Sequence, residues 1–121
     1  MRKKIYYERP RKVVKLSLEQ AKYIDSNYPI RKSKFISFID PALREKDVDL
    51  ARKGVLNDLE IQTYLDFAFE MEYLGTFDYQ NGEYIDYYED DSFFIAVIYK
   101  EEDEEYYARA VFVNNKAKLV N

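Results

Sequence analysis

The stretch TFDYQNGEYIDYYEDDSFFIAVIY, residues 76–99, decides the fold of this chain. Asn81-Gly82 is the strongest short-range signal for a two-residue β-hairpin turn, and β-prone residues alternate with polar ones on both sides of it. Residues 92–99, SFFIAVIY, are apolar on both faces, which is typical of a central strand. The stretch therefore predicts a β-hairpin followed by the central strand of an antiparallel sheet.

Further strands are predicted on the C-terminal side of this stretch. An acidic turn at residues 100–105 leads to YYARAVFV at 106–113, which is again mostly apolar on both faces. Asn114-Asn115 then turns into a last strand, KAKLV at 116–120, whose lysines suit a protected sheet edge. Together these segments predict a C-terminal meander of about five antiparallel strands.

A long helix is predicted before the hairpin, beginning at Asn57 or Asp58 and ending at Gly75. On a helical wheel its apolar residues cover an arc of about 200°, which is typical of a central helix lying across a sheet. These residues are Ile61, Tyr64, Leu65, Phe67, Ala68, Phe69, Met71 and Leu74. Glu72 falls inside the arc, either as an exposed side chain or as a buried carboxylate with a partner such as Arg109.

A second helix is predicted near the N-terminus. Val13–Leu16 is β-prone and predicts a short strand, after which Ser17 and Gln20 have the spacing of a capping box. We expect the helix that they open to extend to about Asn27.

The segment between these two helices contains Asp40-Pro41, which is typical of a helix start. We therefore expect residues 34–39 to be extended and a helix to cover 41–53. Residues 1–12 are predicted as a basic arm or an edge strand. The fold class that follows is α+β, one domain over residues 1–121, with an N-terminal basic strand and two to three helices packed on one side of the antiparallel meander.

The composition restricts the chemistry of this 121-residue chain, which contains neither cysteine nor histidine. It therefore lacks the commonest general base, the commonest transition-metal ligand and the thiolate nucleophile. The N-terminus is charged where a signal peptide would be apolar, and the longest apolar run covers only residues 93–99. We expect a cytoplasmic protein without a membrane partner, a cofactor or enzymatic activity.

Charge is segregated along the chain. Residues 1–34 hold eleven basic and three acidic residues, whereas residues 55–107 hold sixteen acidic residues and one basic residue, Lys100. Such asymmetry indicates charged partners, or attraction between the two parts of the molecule. The acidic runs 89–91 and 101–105 lack the ligand spacing of an EF-hand, so we interpret them as solvated turns and predict no metal site.

Residues 11–39 resemble the ribbon–helix–helix family of DNA-binding dimers. The pattern is a short basic strand, RKVVKL, a Ser-capped helix, SLEQAKYIDSN, and a Ser before an apolar pair, where the family has a second helix. The resemblance implies that Arg11, Val13 and Lys15 point from the strand into a major groove. Pro41 departs from the pattern, because it falls where the second helix should be uninterrupted.

Our primary hypothesis is a non-enzymatic protein that inhibits a nucleic-acid-handling partner. Carboxylates interleaved with tyrosines would form one face that replaces phosphates and blocks the partner's nucleic-acid-binding site. In composition the chain resembles small acidic proteins of phages and mobile elements, such as anti-CRISPR and anti-restriction proteins. The predicted partner-binding residues are Asp86, Tyr87, Tyr88, Glu89, Asp90, Asp91, Glu101, Glu102, Asp103, Glu104, Glu105 and Tyr106.

The alternative hypothesis is a DNA- or RNA-binding regulator that acts through the basic N-terminal segment, as a homodimer. Its nucleic-acid-binding residues would be Arg2, Lys3, Lys4, Arg9, Arg11, Lys12 and Lys15. A structural or interaction subunit is a further option. An enzyme that uses carboxylates would require a cleft that gathers two or more of them.

Overall fold

The computed structural model describes residues 5–27, 35–38, 58–80 and 82–115. These residues form two helices and six strands, an α+β arrangement with a meander-like antiparallel sheet. In chain order the elements are β1 (Ile5–Tyr6), α1 (Leu18–Asn27), β2 (Phe35–Phe38), α2 (Asp58–Glu70), β3 (Glu72–Gln80), β4 (Glu83–Glu89), β5 (Phe93–Glu102) and β6 (Glu105–Asn115).

The meander consists of β3, β4, β5 and β6, each antiparallel to the next. The predicted hairpin is confirmed: Gln80 pairs with Glu83, and Gly82 has a positive φ of 77°. The predicted central strand is confirmed as β5, which is buried from Phe94 to Tyr99 because both of its faces are covered.

The far edge of β6 is occupied by N-terminal strands. Ile5 pairs with Ala108, and Phe35–Phe38 pairs with residues 110–113, so that β1 and β2 follow one another along the same edge. The prediction that residues 34–39 are extended is therefore confirmed over β2. The predicted final strand at 116–120 and the predicted helix at 41–53 lie outside the described residues.

Helix α1 begins and ends where the sequence predicts. The Ser17 Oγ accepts a hydrogen bond from the Gln20 amide at 3.1 Å, and the Ser17 amide donates to Gln20 Oε1 at 2.8 Å. These are the two reciprocal bonds of a capping box, which satisfy amides that the first turn leaves without helical partners.

Helix α2 begins at the predicted position but ends at Glu70, so the prediction that it continues to Gly75 is wrong. From Glu72 onward the chain is strand β3, with an irregularity in the pairing of β3 with β4 between Tyr73 and Gly75. Glu72 is accordingly an exposed strand residue, and Arg109 forms its ion pair with Glu83 instead. The helical wheel gave the wrong helix end because residues 71–75 are too few to distinguish the helical period of 3.6 residues from the strand period of two.

The two described helices lie on opposite faces of the sheet, so the prediction that helices pack on one side is wrong. Leu65 and Ala68 of α2 pack on the face that Ile95 and Val97 share, whereas Ile24 of α1 packs against the other face. Alternation along β5 separates these two clusters, because neighbouring side chains of a strand point to opposite faces. The buried part of α2 is also narrower than predicted, since Phe67 and Phe69 remain 45% and 43% exposed.

Residues 5–16, called the strap below, cross the sheet from one edge to the other. Beyond β1, the Tyr7 amide still donates to the Tyr106 carbonyl of β6. At the other end Val14 and Leu16 exchange backbone hydrogen bonds with Thr76 of β3, and Lys15 forms a parallel bridge to the same residue. Of the two predictions for the first residues, the edge strand is confirmed over β1, and the strap is not a free arm.

The second helix that the ribbon–helix–helix resemblance implies is not found, because residues 35–38 form β2. The predicted strand Val13–Leu16, which is part of that resemblance, is reduced to one isolated parallel bridge between Lys15 and Thr76 of β3. Among the described residues, neither helix has the length and apolar character that crossing a bilayer would require.

Candidate functional site

The predicted partner-binding residues do not form one face. Glu89, Asp90 and Asp91 lie at the turn between β4 and β5, and residues 101–105 lie at the turn between β5 and β6. These turns are at opposite ends of the ten-residue strand β5, about 30 Å apart at the rise of an extended strand. The candidate surface therefore divides into two separate regions.

Three of the predicted residues are in the core instead. Asp86 is 0% exposed, and Tyr87 and Tyr88 are 3% and 2% exposed, because β4 lies between β3 and β5 and is covered on both faces. None of the three can touch a partner of the folded chain. Tyr106 is half-buried and is directed at Arg9.

The first region, the hairpin tip, covers residues 100–107. Asp103 and Glu104 form its two-residue turn with φ angles of 54° and 67°. Beside the turn, the rings of Tyr6 and Tyr107 lie 4.9 Å apart between centroids, and the Tyr107 hydroxyl donates to Glu105 at 2.8 Å. The hairpin tip thus presents exposed carboxylates beside one exposed ring, that of Tyr6 in β1.

The second region, the acidic pocket, is concave. It lies between the C-terminal turn of α2 and the β4–β5 turn and has a volume of about 260 Å³. Apolar and acidic side chains both contribute to its wall. The lining residues are Phe67, Glu70, Met71, Asp90, Ser92 and Phe93.

Short-range contacts fix the wall of the acidic pocket. Asp90 Oδ1 accepts hydrogen bonds from the amides of Ser92 and Phe93 at 2.8 and 2.7 Å, which holds the β4–β5 turn. Tyr64 contacts Phe67 and Phe93 edge-on, with ring centroids 6.1 and 6.4 Å apart. The helix and the turn are thus joined through one aromatic cluster.

The rim of the acidic pocket adds more negative charge. Glu72 of β3 is opposite Glu89 of β4 in the strand register, and Asp91 is exposed on the turn. The sequence from 58 to 99, which supplies the whole pocket, contains no lysine or arginine. The local potential is therefore negative around an apolar floor, an arrangement that attracts cations.

A buried network surrounds Asp86 in the middle of the sheet. The Tyr7 hydroxyl donates to Asp86 Oδ2 at 2.5 Å, and Tyr99 donates to Oδ1 at 3.0 Å. Thr76 also donates to Oδ1 and is itself bonded to the Tyr73 hydroxyl, while Tyr88 is bonded to Tyr7. Because Tyr7 and Thr76 use their protons on the carboxylate, Tyr88 and Tyr73 are the donors that fit the two remaining bonds.

Burial raises the pKa of Asp86 above its usual value, because a carboxylate loses hydration in the core. The hydrogen bonds from Thr76, Tyr7 and Tyr99 and the charge of Arg9 oppose that rise. The pKa values of Tyr7, Tyr88 and Tyr99 are raised as well, primarily by burial. Asp86 itself is fully buried, so we assign the network a role in the fold.

Arg9 of the strap lies among three tyrosines. Its guanidinium carbon is 4.7 Å from the ring centroid of Tyr84, 5.1 Å from that of Tyr106 and 5.9 Å from that of Tyr99. Nε donates to the Tyr99 hydroxyl and Nη1 to the Tyr106 hydroxyl, both at 3.0 Å. The Tyr99 hydroxyl in turn donates to Asp86, so the cation and the buried carboxylate are linked through one side chain.

The residues of the alternative nucleic-acid hypothesis are divided. Arg9 is committed to the tyrosines described above, and Arg11, Lys12 and Lys15 are exposed on the strap. The remaining three, Arg2, Lys3 and Lys4, lie outside the described residues. Within the described ranges, no group of three or more acidic side chains is arranged to hold a metal ion.

Sequence reasoning missed the lining residues on α2. The apolar arc predicts core positions for Phe67 and Met71, and Glu70 lies outside that arc. The available signal was the absence of any basic residue between 58 and 99, which leaves that whole surface negative.

Comparison with known proteins adds no relative: no protein-family model, no curated protein and no solved structure matches the chain.

Proposed function

We propose that this chain is a non-enzymatic binding protein whose acidic pocket takes a basic, apolar segment of a protein partner. The observation that carries the proposal is the concave surface lined by Phe67, Met71 and Phe93 together with Glu70 and Asp90. An apolar floor with a charged rim is the anatomy of a protein-binding hot spot, in which buried contacts supply affinity and charges select the partner.

The size of the pocket favours a side chain over a free small molecule. About 260 Å³ is below the range of roughly 300–1,000 Å³ that is typical of small-molecule sites. The hydrogen-bonded turn at Asp90 keeps the wall in place, so little ordering cost falls on the binding step. One apolar or arginine side chain with neighbouring cations fits these dimensions.

The charge indicates what kind of partner this is. Carboxylates around the pocket repel phosphates and attract the lysine and arginine side chains with which proteins hold nucleic acid. A chain that covers such a basic surface competes with nucleic acid for it, as the inhibitors that the composition resembles do. The partner that we propose is therefore a protein that handles nucleic acid.

A binding assay with charge-reversal variants tests the proposal. The probe is a short peptide of alternating arginine and leucine, and its Kd is measured by calorimetry for the wild-type chain, for Glu70→Lys/Asp91→Lys and for Glu101→Lys/Glu104→Lys. The two variants change the net charge equally, but only the first alters the acidic pocket. We expect the pocket variant to bind about tenfold or more weakly, and the tip variant to change by about threefold or less.

Equal losses in the two variants would show that only net charge matters and would overturn the proposal. Phe67→Ala gives a second measurement that leaves all charges in place. It should weaken the binding of the peptide because an apolar contact is lost. Asp90 is left unchanged in every variant, because its side chain holds the turn.

A gel shift with a salt titration separates this proposal from direct nucleic-acid binding. We expect no affinity of the wild-type chain for a duplex, and competition with a duplex for a basic protein. A complex with duplex whose affinity falls steeply with salt, and is lost in Arg11→Ala/Lys12→Ala/Lys15→Ala, would instead establish the alternative.

A further inference from the structure

We propose that Tyr84, Tyr99 and Tyr106 form a guanidinium-binding cage that the chain's own Arg9 fills, and that the cage takes an arginine side chain or a small guanidinium compound when Arg9 is withdrawn. The cage lies at the opposite end of the sheet from the acidic pocket and shares no residue with it. The inference is therefore independent of the proposed function.

The three rings come from three adjacent strands. Tyr84 of β4 pairs with Tyr99 of β5, and their ring centroids lie 5.4 Å apart. Tyr106 of β6 meets Tyr99 edge-on, with centroids 5.6 Å apart. The three cage rings thus come from the strands, whereas the strap contributes the cation and, beside the cage, the ring of Tyr7, whose centroid lies 4.6 Å from that of Tyr99.

The chemistry of the cage selects a planar cation. Two donors of one guanidinium reach two different hydroxyls while its carbon stays 4.7 Å from the Tyr84 centroid, a geometry that needs the fork of arginine. An ammonium group is a compact, strongly hydrated point charge that lacks this planar fork, so we expect the cage to hold it more weakly. Behind the rings, Asp86 accepts from Tyr99 and supplies the negative charge that the cation balances.

The cage can exchange its occupant because the strap is weakly held there. Tyr84, Tyr106 and Arg9 are half-buried, and Glu8, Arg11 and Lys12 on either side are exposed. Residues 8–13 of the strap make no backbone hydrogen bond to the described part of the sheet. Local opening of such a segment costs less than opening of the meander.

Chemical rescue tests the cage. The melting temperature of Arg9→Ala is measured against millimolar methylguanidinium, with Arg11→Ala as the matched control for arginine removal from an exposed site and methylammonium as the control for charge. We expect Arg9→Ala to melt below the wild type and to recover about 3 °C or more at ten times the dissociation constant of methylguanidinium. The melting temperature of Arg11→Ala should not rise with methylguanidinium. Methylammonium should raise the melting temperature of neither variant.

A rise of the same size in both variants, or with methylammonium, would overturn the proposal. A second measurement uses the wild-type chain and does not depend on the stability of the variant. In its NMR spectrum the Arg9 side-chain protons should be shifted upfield by the tyrosine rings and the Nε proton should be protected from exchange, whereas Arg11 should show neither effect. Arg9 signals like those of Arg11 would likewise overturn the proposal.

Discussion

Asp86 is the residue on which the interior of the sheet depends. Three chains of hydrogen bonds end at its carboxylate, one through Tyr7, one through Thr76 and one through Tyr99. A substitution of this acceptor is costly, because each buried donor left without a partner lowers the stability of the fold by about 1–3 kcal/mol. The carboxylate thus replaces apolar packing with directed contacts in the middle of the core.

Asp86 also gives the stability a pH dependence of defined sign. Burial raises its folded-state pKa above the unfolded value of about 3.9, so between these two values the native chain holds a proton that the unfolded chain has lost. The contribution of Asp86 to the free energy of unfolding is therefore largest below the unfolded pKa and decreases as the pH rises through the folded pKa.

The measurement is urea unfolding of the wild type and of Asp86→Asn from about pH 4 to about pH 7. We expect Asp86→Asn to cost about 2 kcal/mol near pH 4, because its amide nitrogen cannot accept a bond from the hydroxyls. The cost should shrink as the pH rises. Asp78→Asn, at an exposed position, is the control and should change by no more than about 0.5 kcal/mol. A cost that grew with pH would contradict a raised pKa.

At the scale of residues the sequence predicted capping and turn chemistry well. Ser17 and Gln20 and the Asn81-Gly82 turn act through neighbours in the chain, and local patterns report such contacts. The buried state of Asp86 was not predictable in this way. Its partners Tyr7 and Tyr99 are 79 and 13 residues distant, and an alternating β-strand pattern gives an aspartate no sign of being enclosed.

At the scale of elements, Gly75 of strand β3 lies directly against Leu16 of the strap. Its φ is 144°, and a β-carbon added there would lie 2.5 Å from Leu16 Cδ2. The residue that looked like the end of a helix is instead an irregular point in the pairing of β3 with β4, where the backbone of β3 comes close to a neighbouring side chain.

Gly75→Ala should therefore lower the free energy of unfolding by about 1–3 kcal/mol, since it introduces both a strained φ and a clash. Chemical denaturation measures the loss. In the double variant Gly75→Ala/Leu16→Ala the clash is removed, so the combined loss should be smaller than the sum of the two single losses. Strict additivity would show that Leu16 does not press on this position.

The elements themselves were largely predictable, and their packing was not. A capping box located α1, a helical apolar arc located the start of α2, and turn signals beside alternating or apolar runs located β4, β5, β6 and the second half of β3. Which face of the sheet each helix covers depends on contacts such as those of Ile24 and Leu65, which no local pattern specifies. The acidic pocket was missed for the same reason, since it forms only where α2 meets the β4–β5 turn.

At the scale of the molecule, the strap connects both edges of the sheet and both of its faces. Tyr7 holds it near one edge and the bonds of Val14 and Leu16 to Thr76 hold it at the other. The positive segment of the sequence is thus drawn over a sheet that carries most of the negative charge. Arg9 is the strap residue that is linked to a carboxylate of that sheet, through the hydroxyl of Tyr99 to Asp86. A wider attraction between the two oppositely charged parts of the chain stays a prediction of the charge asymmetry.

Tyr7→Phe should loosen the strap without unfolding the meander, because it removes the hydroxyl that joins Tyr88 to Asp86 while keeping the ring. Limited trypsin digestion read by mass spectrometry should show cleavage after Arg11 and Lys12 about tenfold faster than in the wild type, corresponding to about 1.4 kcal/mol of easier opening. Tyr23→Phe, on an exposed helix position, is the matched control and should leave the rate unchanged. Equal cleavage rates in Tyr7→Phe and the wild type would show that the Tyr7 hydroxyl does not hold the strap on the sheet.

The arrangement of strands on the far edge of β6 has a consequence for biosynthesis. Ile5 pairs with Ala108, and Phe35 with Val113, so β1 and β2 are translated long before β6, the strand with which they pair. The early strands must wait, unpaired, through most of synthesis, and pairings this distant in sequence form slowly. A ribosome stalled before codon 105 should therefore display a nascent chain whose N-terminal segment is still open to proteases.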